Sequence, residues 1–382
     1  MKITYIAPSR IPSLTANSMQ VMKVCQALTQ LGHEVLLLVP GTGSRAWSEL
    51  TEVYGVQSPF QIDWLPARRA LHKLDFARAA VGHARRAHTD VIYTRLLWVA
   101  IFALRQKVPV ILEMHEVPSG NFAPRLYHHY LALRGQRLTV FITRALQSEV
   151  EQKLAVRHVA AEAFVAPDGV DLERYQNLPA PVEARQALDL PAGLTAAYSG
   201  GFYPGRGLER LFDLAAAFPQ VHFLWIGGQP QVVAEWRARV QAQGLTNVTL
   251  TGFVPNQQLP LYQAAADVLV MPYRQKVAGS SGGDIARVTS PMKLFEYMAS
   301  GRAILCSDLP VLHEVLDDST ACFYPPDDFA AMTAAFTRLI EEDSLRANLA
   351  AHARQEVARY SWKNRMHTIL DFFSKNSLEN KE

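Results

Sequence analysis

A lysine and a glutamate three residues apart, Lys293 and Glu296, give the sequence its strongest chemical signal. Their stretch, SPMKLFEYMASG, predicts a short helix over 291–300 that Ser290 would cap and Gly301 would end. The alternative reading is an exposed ion pair between these two side chains. A lysine in the first turn opposes the helix dipole, and a lysine that precedes its glutamate is the weaker orientation for such a pair. A phosphate held by the helix start and by Lys293, with Glu296 accepting hydrogen bonds from ribose hydroxyls, removes the conflict.

A glycine-rich turn provides a second cation. In YSGGFYPGRGLERL a predicted strand ends at Gly200 and Gly201, and Arg206 precedes the next predicted helix. Glycines let a backbone approach a ligand closely, and arginine binds phosphate with a forked geometry. A tight turn with a solvated arginine is the alternative. The loop 273–290 is long for an α/β unit, which favours a functional or mobile segment. Taken together, the turn and the lysine helix predict a site for a nucleotide diphosphate.

Buried strands that alternate with helices must position these residues. Runs that are apolar on both faces predict doubly wound parallel sheets, so the fold class is α/β with two Rossmann-like domains facing a central cleft. The predicted strands are 3–8, 33–40, 90–95, 108–115, 138–143 and 163–169, then 195–200, 221–228, 247–254, 267–273 and 302–308. The predicted domains are 1–177 (acceptor), a linker 178–193, 194–355 (nucleotide sugar), and a helix 356–382 that returns to the first domain.

Composition narrows the class of protein. The 382 residues carry a net charge of +3 and three cysteines without metal-ligand or redox spacing, which is typical of a reducing compartment. The sequence enters a strand directly after Met1 and has no apolar run of transmembrane length, so we predict a cytoplasmic protein. The first turn after the first strand lacks Gly-x-Gly-x-x-Gly, which disfavours a dehydrogenase.

The ordered set of motifs resembles family 4 of the retaining glycosyltransferases, which have the GT-B fold. The matching segments of the second half are VAPDGVDLERY, YSGG, GRGLERL, FLWIGG, VTLTGFVP, ADVLVMPY and SPMKLFEYMASGRAILCSDLP with HEVL. Those of the first half are GHEVLLLVP, YTR and EMHEVP. The resemblance covers essentially the whole chain.

The resemblance implies roles for individual residues. Glu296 would bind ribose, and Arg206 and Lys293 would act on the diphosphate. His115 would lie against the transferred sugar, although a histidine at a strand end is often a hydrogen-bonded core residue. The remaining implied donor-binding positions are Gly252, Phe253 and Val254 at the base, and the backbone from Thr289 through Ser290 to Met292 at sugar and phosphate.

Two positions depart from the family pattern. Val288 stands where the first glutamate of the family's Glu–seven residues–Glu signature is expected. The identity of the donor sugar therefore cannot be inferred from the family pattern. Gly201 stands where relatives often have an arginine, and Lys293 would supply the missing cation. No Asp-x-Asp stands at a strand end, so we predict no metal, with the donor a UDP-sugar and the diphosphate stabilised by cations. The resemblance implies that the anomeric configuration is retained.

The first half is expected to bind the acceptor. Asn17 and Ser18 would begin the first helix and contact donor phosphate or acceptor, with an N-cap role for Asn17 as the even alternative. Asp168 is expected to shape a turn. Residues 1–175 carry 20 Lys and Arg against 14 Asp and Glu. A helical wheel over 66–88 gathers a basic arc with one aromatic, which includes Arg68, Arg69, Phe76 and Arg86. Such a face suits an anionic membrane surface, a solvated helix being the alternative.

These patterns favour a peripheral membrane enzyme that moves a hexose from a UDP-sugar to a lipid or glycolipid acceptor. A narrower resemblance is to the bacterial and cyanobacterial digalactosyldiacylglycerol synthases, with UDP-galactose as donor. Enzymes of exopolysaccharide, lipopolysaccharide or cell-wall synthesis share the same motifs. A nucleotide-sugar epimerase and an inactive UDP-sugar-binding protein are the alternatives of another class. Nucleic acid is disfavoured as a partner because no recognised binding module is present.

Overall fold

The computed structural model describes residues 1–68, 74–278 and 283–379. It consists of two compact units, Met1–Asp168 with Trp362–Glu382, and Gly169–Ser361. Each unit is built on one parallel sheet.

The first unit has a seven-stranded sheet of order β3-β2-β1-β4-β5-β6-β7. Its strands are β1 (Lys2–Ile6), β2 (Glu34–Pro40), β3 (Gln61–Leu65), β4 (Val91–Thr94), β5 (Val110–Met114), β6 (Arg137–Phe141) and β7 (Ala163–Val165). Its helices are α1 (Ala16–Gln30), α2 (Trp47–Tyr54), α3 (Leu74–Arg86), α4 (Leu97–Arg105), α5 (Ala123–Ala132), α6 (Arg144–Leu154) and, at the end of the chain, α14 (Trp362–Glu379).

The second unit has a six-stranded sheet of order β10-β9-β8-β11-β12-β13. Its strands are β8 (Thr195–Ser199), β9 (His222–Ile226), β10 (Val248–Gly252), β11 (Val268–Met271), β12 (Ala303–Ser307) and β13 (Cys322–Tyr324). Its helices are α7 (Pro181–Ala187), α8 (Leu208–Ala217), α9 (Pro230–Ala242), α10 (Leu259–Ala264), α11 (Met292–Ser300), α12 (Phe329–Glu341) and α13 (Asp343–Glu356).

The central strands are apolar on both faces because helices cover both sides of each sheet. Leu36–Val39 of β2 and all of β8, β9 and β12 are buried. The core of the second unit includes Trp225, Phe223 and Phe336. This is the two-sheet α/β architecture predicted from the apolar runs.

Three details of the sequence prediction are wrong. Residues 178–193 are not a bare linker, since they contain α7, whose Arg185 is buried and donates to Asp267 at 2.9 Å within the second unit. The edge strands β3 and β13 were not predicted. The closing helix predicted over 356–382 does not begin at 356, since a short 3-10 turn, Val357–Tyr360, separates α13 from α14.

Candidate active site

The carboxyl ends of β8 and β11 bring two loops of the second unit into direct contact. These strands are neighbours in the sheet, and the glycine-rich turn follows β8 while Pro272 and Tyr273 follow β11. Arg274 donates its backbone N–H to the Gly205 carbonyl at 2.9 Å. A Cβ at Gly207 would lie 1.7 Å from the Pro272 carbonyl oxygen, so only glycine permits this approach.

The Lys293 ammonium lies in this region, at the first turn of α11. Its Nζ is buried and makes no hydrogen bond to any described residue. It lies 3.7 Å from the centroid of the Tyr198 ring and 5.5 Å from that of Tyr273. Burial, together with the nearby Arg206 guanidinium, holds the pKa of Lys293 well below its usual range. The alternative of an exposed ion pair between Lys293 and Glu296 therefore does not fit, because two tyrosine rings shelter the lysine amine.

Arg206 approaches the same tyrosine. Its guanidinium carbon lies 4.7 Å from the centroid of the Tyr273 ring, and Nη1 donates to the Tyr273 hydroxyl. Burial raises the pKa of Tyr273, so the phenol is neutral and cannot compensate either charge as an anion. Two cations therefore lie around one neutral ring, which is an arrangement that a bound anion would stabilise.

The start of α11 adds backbone donors beside Lys293. Pro291, and not the predicted Ser290, is the N-cap residue, and it provides no side-chain cap. Ser290 is buried just before the helix, and Met292 is half-buried as its first residue. A helix start without a side-chain cap fits the predicted phosphate contact.

The glycines before Arg206 shape the space around the lysine. Gly200 has φ = +137°, and a Cβ there would lie 2.8 Å from Lys293 Nζ. Gly201 is next, and the Tyr198 hydroxyl donates to its carbonyl at 2.9 Å. The absence of a side chain at Gly200 therefore leaves room for the lysine amine.

Glu296 is half-buried one turn further along α11, and its Oε2 accepts a hydrogen bond from Gln263 Nε2 at 3.3 Å. The predicted base contact lies at the end of β10, where Gly252 has φ = +71° and Phe253 is 44% exposed, with Val254 half-buried after it. Ribose and base contacts at these residues stay predictions. Val288 is buried and apolar, so its side chain offers no hydrogen bond to a sugar.

In the first unit, His115 follows β5 and contacts Glu113 through Nε2, at 2.5 Å from Oε1. A carboxylate only accepts hydrogen bonds, so Nε2 carries the proton. Burial and the Arg95 charge lower the pKa of His115 to about 4, so the ring is neutral near pH 7. Its contact with a sugar stays a prediction.

Glu113 is the centre of a buried polar network that sequence reasoning missed. It accepts hydrogen bonds from Gln20 (2.5 Å), from the Tyr93 hydroxyl and from Arg365 of α14 (2.9 Å). Burial alone would raise the pKa of Glu113, but Arg365 and His115 hold it well below its usual range. An acid inside an otherwise apolar strand, LEMHE, was the available signal.

Asp168 completes this group. Ligand atoms of Glu113, His115 and Asp168 lie within 4.8 Å of one another, a spacing that could hold a metal ion. Arg365 already pairs with Glu113, and both it and Arg95 contribute positive charge here, so the group fits an ion-pair network better than a cation site. Burial raises the pKa of Asp168 to about 7.

The residues predicted at the start of α1 have other local roles. Thr15, not Asn17, is the N-cap, and its hydroxyl accepts from the Ser18 N–H. Ser18 is buried, with its hydroxyl 2.8 Å from the Ser13 carbonyl, so it braces the loop and is not placed to meet a ligand. Asn17 Oδ1 accepts from Ser9 (2.8 Å) and from Arg95 (3.0 Å).

The predicted basic face is only partly as expected. Arg68 and Arg86 are exposed, and Arg69 lies outside the described residues. Phe76 is fully buried in the core, so its assignment to that face is wrong: α3 packs Phe76, Ala77 and Ala80 inward. Within the described residues, every helix is too short or too polar to cross a bilayer.

Two family models match the chain. Glycosyltransferase Family 4 matches residues 18–174, and Glycosyl transferases group 1 matches residues 195–342. Together they span most of the sequence. The chain belongs to the family 4 glycosyltransferases.

Individual relatives agree with this family. A phosphatidyl-myo-inositol mannosyltransferase of Mycolicibacterium smegmatis is 25% identical over 384 residues, covering 95% of this glycosyltransferase and 90% of the relative. Anabaena Alr3699/HepE, solved in complex with UDP, has a TM-score of 0.75 at 19% identity, covering 98% and 100% of the two chains. WaaG, a glycosyltransferase involved in lipopolysaccharide biosynthesis, has a TM-score of 0.65 at 15% identity, covering 97% and 99%. The two structural likenesses confirm the predicted GT-B fold.

Proposed function

We propose that this glycosyltransferase moves a hexose, with retention of configuration, from a UDP-sugar to a lipid or glycolipid acceptor at a membrane surface. The observation that carries the donor half is the buried Lys293 ammonium, which makes no hydrogen bond to a described residue. Leaving a buried charged donor unsatisfied costs on the order of 1–3 kcal/mol or more, and a diphosphate is the ligand that would recover it.

The chemistry follows from the charges at the site. As the glycosidic bond to the donor phosphate breaks, negative charge accumulates on the leaving diphosphate. Lys293, Arg206 and the first-turn amides of α11 would stabilise that charge from fixed positions, without waiting for water to reorganise. Neutral His115 would contact the sugar and Glu296 the ribose. The assignment of uridine is supported by the UDP bound to HepE, and a guanosine donor is the alternative to test.

The lipid acceptor is supported by the relative that acts on phosphatidyl-myo-inositol. It is also supported by the basic character of the first unit, where Arg78, Arg85 and Arg86 on α3 are exposed. Phe122, which is 76% exposed at the start of α5, provides an aromatic contact in place of buried Phe76. Exposed aromatic and cationic side chains on one unit suit an anionic lipid surface. Monogalactosyldiacylglycerol with UDP-galactose is the narrower form of this proposal.

The test is to incubate the protein with a panel of UDP- and GDP-sugars and total bacterial or thylakoid lipid, then to identify new glycolipids by mass spectrometry. We expect one UDP-sugar to yield a product that the Lys293→Met variant fails to form. Transfer only to a water-soluble glycan would refute the lipid acceptor. UDP binding without turnover on any acceptor would favour an inactive binding protein, and consumption of the donor without an acceptor would favour an epimerase.

Membrane association has its own test. Liposomes with anionic lipid should retain the protein at low salt, and Arg85→Glu with Arg86→Glu should weaken retention, since each basic residue near such a surface contributes about 1 kcal/mol. An absence of retention by the unsubstituted protein would remove the membrane part and leave the transferase part standing.

A further inference from the structure

A buried glutamine donates a hydrogen bond to Glu296, the carboxylate that the proposed function assigns to ribose. Gln263, on α10, is fully buried. Its Nε2 lies 3.3 Å from Glu296 Oε2 and 3.1 Å from Ser199 Oγ, and its Oε1 lies 2.9 Å from the Tyr175 hydroxyl. The amide therefore uses both of its N–H donors and its acceptor within one cluster.

The orientation of this amide is fixed by the chemistry of its neighbours. The Glu296 carboxylate can only accept hydrogen bonds, so the NH₂ group of Gln263 must face it. The oxygen of Gln263 must then face Tyr175, which has to donate. Burial raises the pKa of Tyr175 well above its usual value, so the phenol keeps the proton that it donates. A flipped amide would place two acceptors, the Gln263 oxygen and the Glu296 carboxylate, against each other.

The cluster also ties together the elements that surround the predicted nucleotide. Ser199 ends β8, and its N–H donates to the hydroxyl of Tyr297 at 2.8 Å, next to Glu296 on α11. Tyr175 lies in a short 3-10 turn, Leu172–Tyr175, of the same unit. A shift of Gln263 would therefore move Glu296 relative to the end of β8.

We propose that Gln263, oriented by Tyr175, is a positioning residue that aligns the Glu296 carboxylate for ribose hydroxyls and so sets the preference for a ribonucleotide donor; this rests on the proposed function. An amide suits this task because it is a neutral donor. It holds one oxygen of Glu296 without neutralising the charge, and a carboxylate has further lone pairs for sugar hydroxyls. A lysine or arginine in the same place would compete with the ribose for that charge.

The test compares UDP with 2′-deoxy-UDP by calorimetry on the full chain. The unsubstituted protein should bind UDP roughly tenfold or more tighter, as expected for one hydrogen bond to a charged group. In Gln263→Leu this ratio should fall to about threefold or less, because Glu296 is no longer aligned. Gln257→Leu, an exposed position before α10, is the matched control and should keep the full ratio.

Each outcome decides a separate claim. If Gln263→Leu weakens UDP and 2′-deoxy-UDP equally, Gln263 is only structural and this inference is wrong while the proposed function stands. Tyr175→Phe should lower the ratio in the same direction, and it tests the relay should the leucine variant fail to fold. If the unsubstituted protein binds neither UDP nor GDP, the nucleotide site itself is refuted, and this inference with it.

Discussion

Replacing Lys293 with methionine separates the effect of the ammonium on protein stability from its effect on nucleotide binding. Methionine matches the length of the lysine stem and removes only the charge. The ammonium makes no hydrogen bond within the described part of the chain, which costs about 1–3 kcal/mol, and its contact 3.7 Å from the Tyr198 ring returns about 2 kcal/mol. The two nearly cancel, so Lys293→Met should leave the unfolding midpoint unchanged or raise it.

The same change should weaken nucleotide binding. A hydrogen bond between charged groups contributes about 1.5–3 kcal/mol, which corresponds to a 10- to 100-fold loss of UDP affinity. Calorimetry would measure the affinity, and thermal unfolding without ligand would measure the stability. Lys363→Met, which removes an exposed lysine from the first unit, is the control and should change neither quantity.

A loss of UDP affinity without a loss of stability is the decisive result. A stability loss above about 1 kcal/mol with unchanged UDP affinity would mean that the ammonium serves the fold. The assignment of Lys293 to the diphosphate would then be refuted, and with it the observation on which the donor half of the proposed function rests.

Three further outcomes follow from the charges. Because the pKa of Lys293 is lowered and a diphosphate binds its protonated form, UDP affinity should fall as pH rises through that pKa, with proton uptake seen by calorimetry in two buffers and lost in Lys293→Met. Arg365→Met should lower the free energy of unfolding by about 3–5 kcal/mol in urea, since Glu113 would stay buried without its cation; a loss below 1 kcal/mol would contradict this. Asp168 has a folded pKa of about 7, above its unfolded value of 3.8, so its contribution to stability is present at low pH and is lost as pH rises through 7. The free energy of unfolding should therefore decline between pH 5 and 7.5, and Asp168→Asn should make that decline smaller by roughly 2 kcal/mol. Parallel pH profiles of the two proteins would refute this prediction.

The sheets could be predicted because burial on both faces leaves a direct signal. The central strands of both sheets read as continuous apolar runs. The two missed strands lie at sheet edges, where that signal fades: β3 is only half-buried, and β13 is three residues long.

The helical wheel failed at Phe76 for a geometric reason. The wheel treated 66–88 as one continuous helix, but residues 66–68 are not helical and the described part of α3 is Leu74–Arg86, so the phase was set partly by residues outside a helix. The observed inward face contains Phe76, Ala77 and Ala80, while Leu74 is exposed at the helix start. Burial of a large aromatic side chain contributes more to the core than burial of an alanine, which favours the observed orientation with Phe76 inward.

Some residues of the candidate site could be predicted from the sequence, and others could not. Arg206 and Lys293 could be predicted, because a cation in a glycine-rich turn and a cation at a helix start are both local anomalies. The tyrosine rings beside these cations could not be predicted, because Tyr198 and Tyr273 lie in or just after buried strands, where an aromatic residue is expected to belong to the core. Glu113 and Arg365 are 252 residues apart, so only the fold brings them together.

Two buried cations in one chain show what distinguishes a structural charge from one kept for a ligand. Arg365 donates to Glu113 at 2.9 Å and to the carbonyls of Pro167 (2.7 Å) and Ala166 (3.0 Å). Hydrogen bonds within the first unit therefore compensate for the loss of water around its charge. The Nζ of Lys293 is buried as well, yet it makes no hydrogen bond to a described residue and lies against the Tyr198 ring. Tyrosine rings hold a cation in place without an anion that a diphosphate would have to displace. The protein thus keeps a positive charge in the second unit oriented and available with little net gain in stability from it. That trade is typical of a binding site and not of a core.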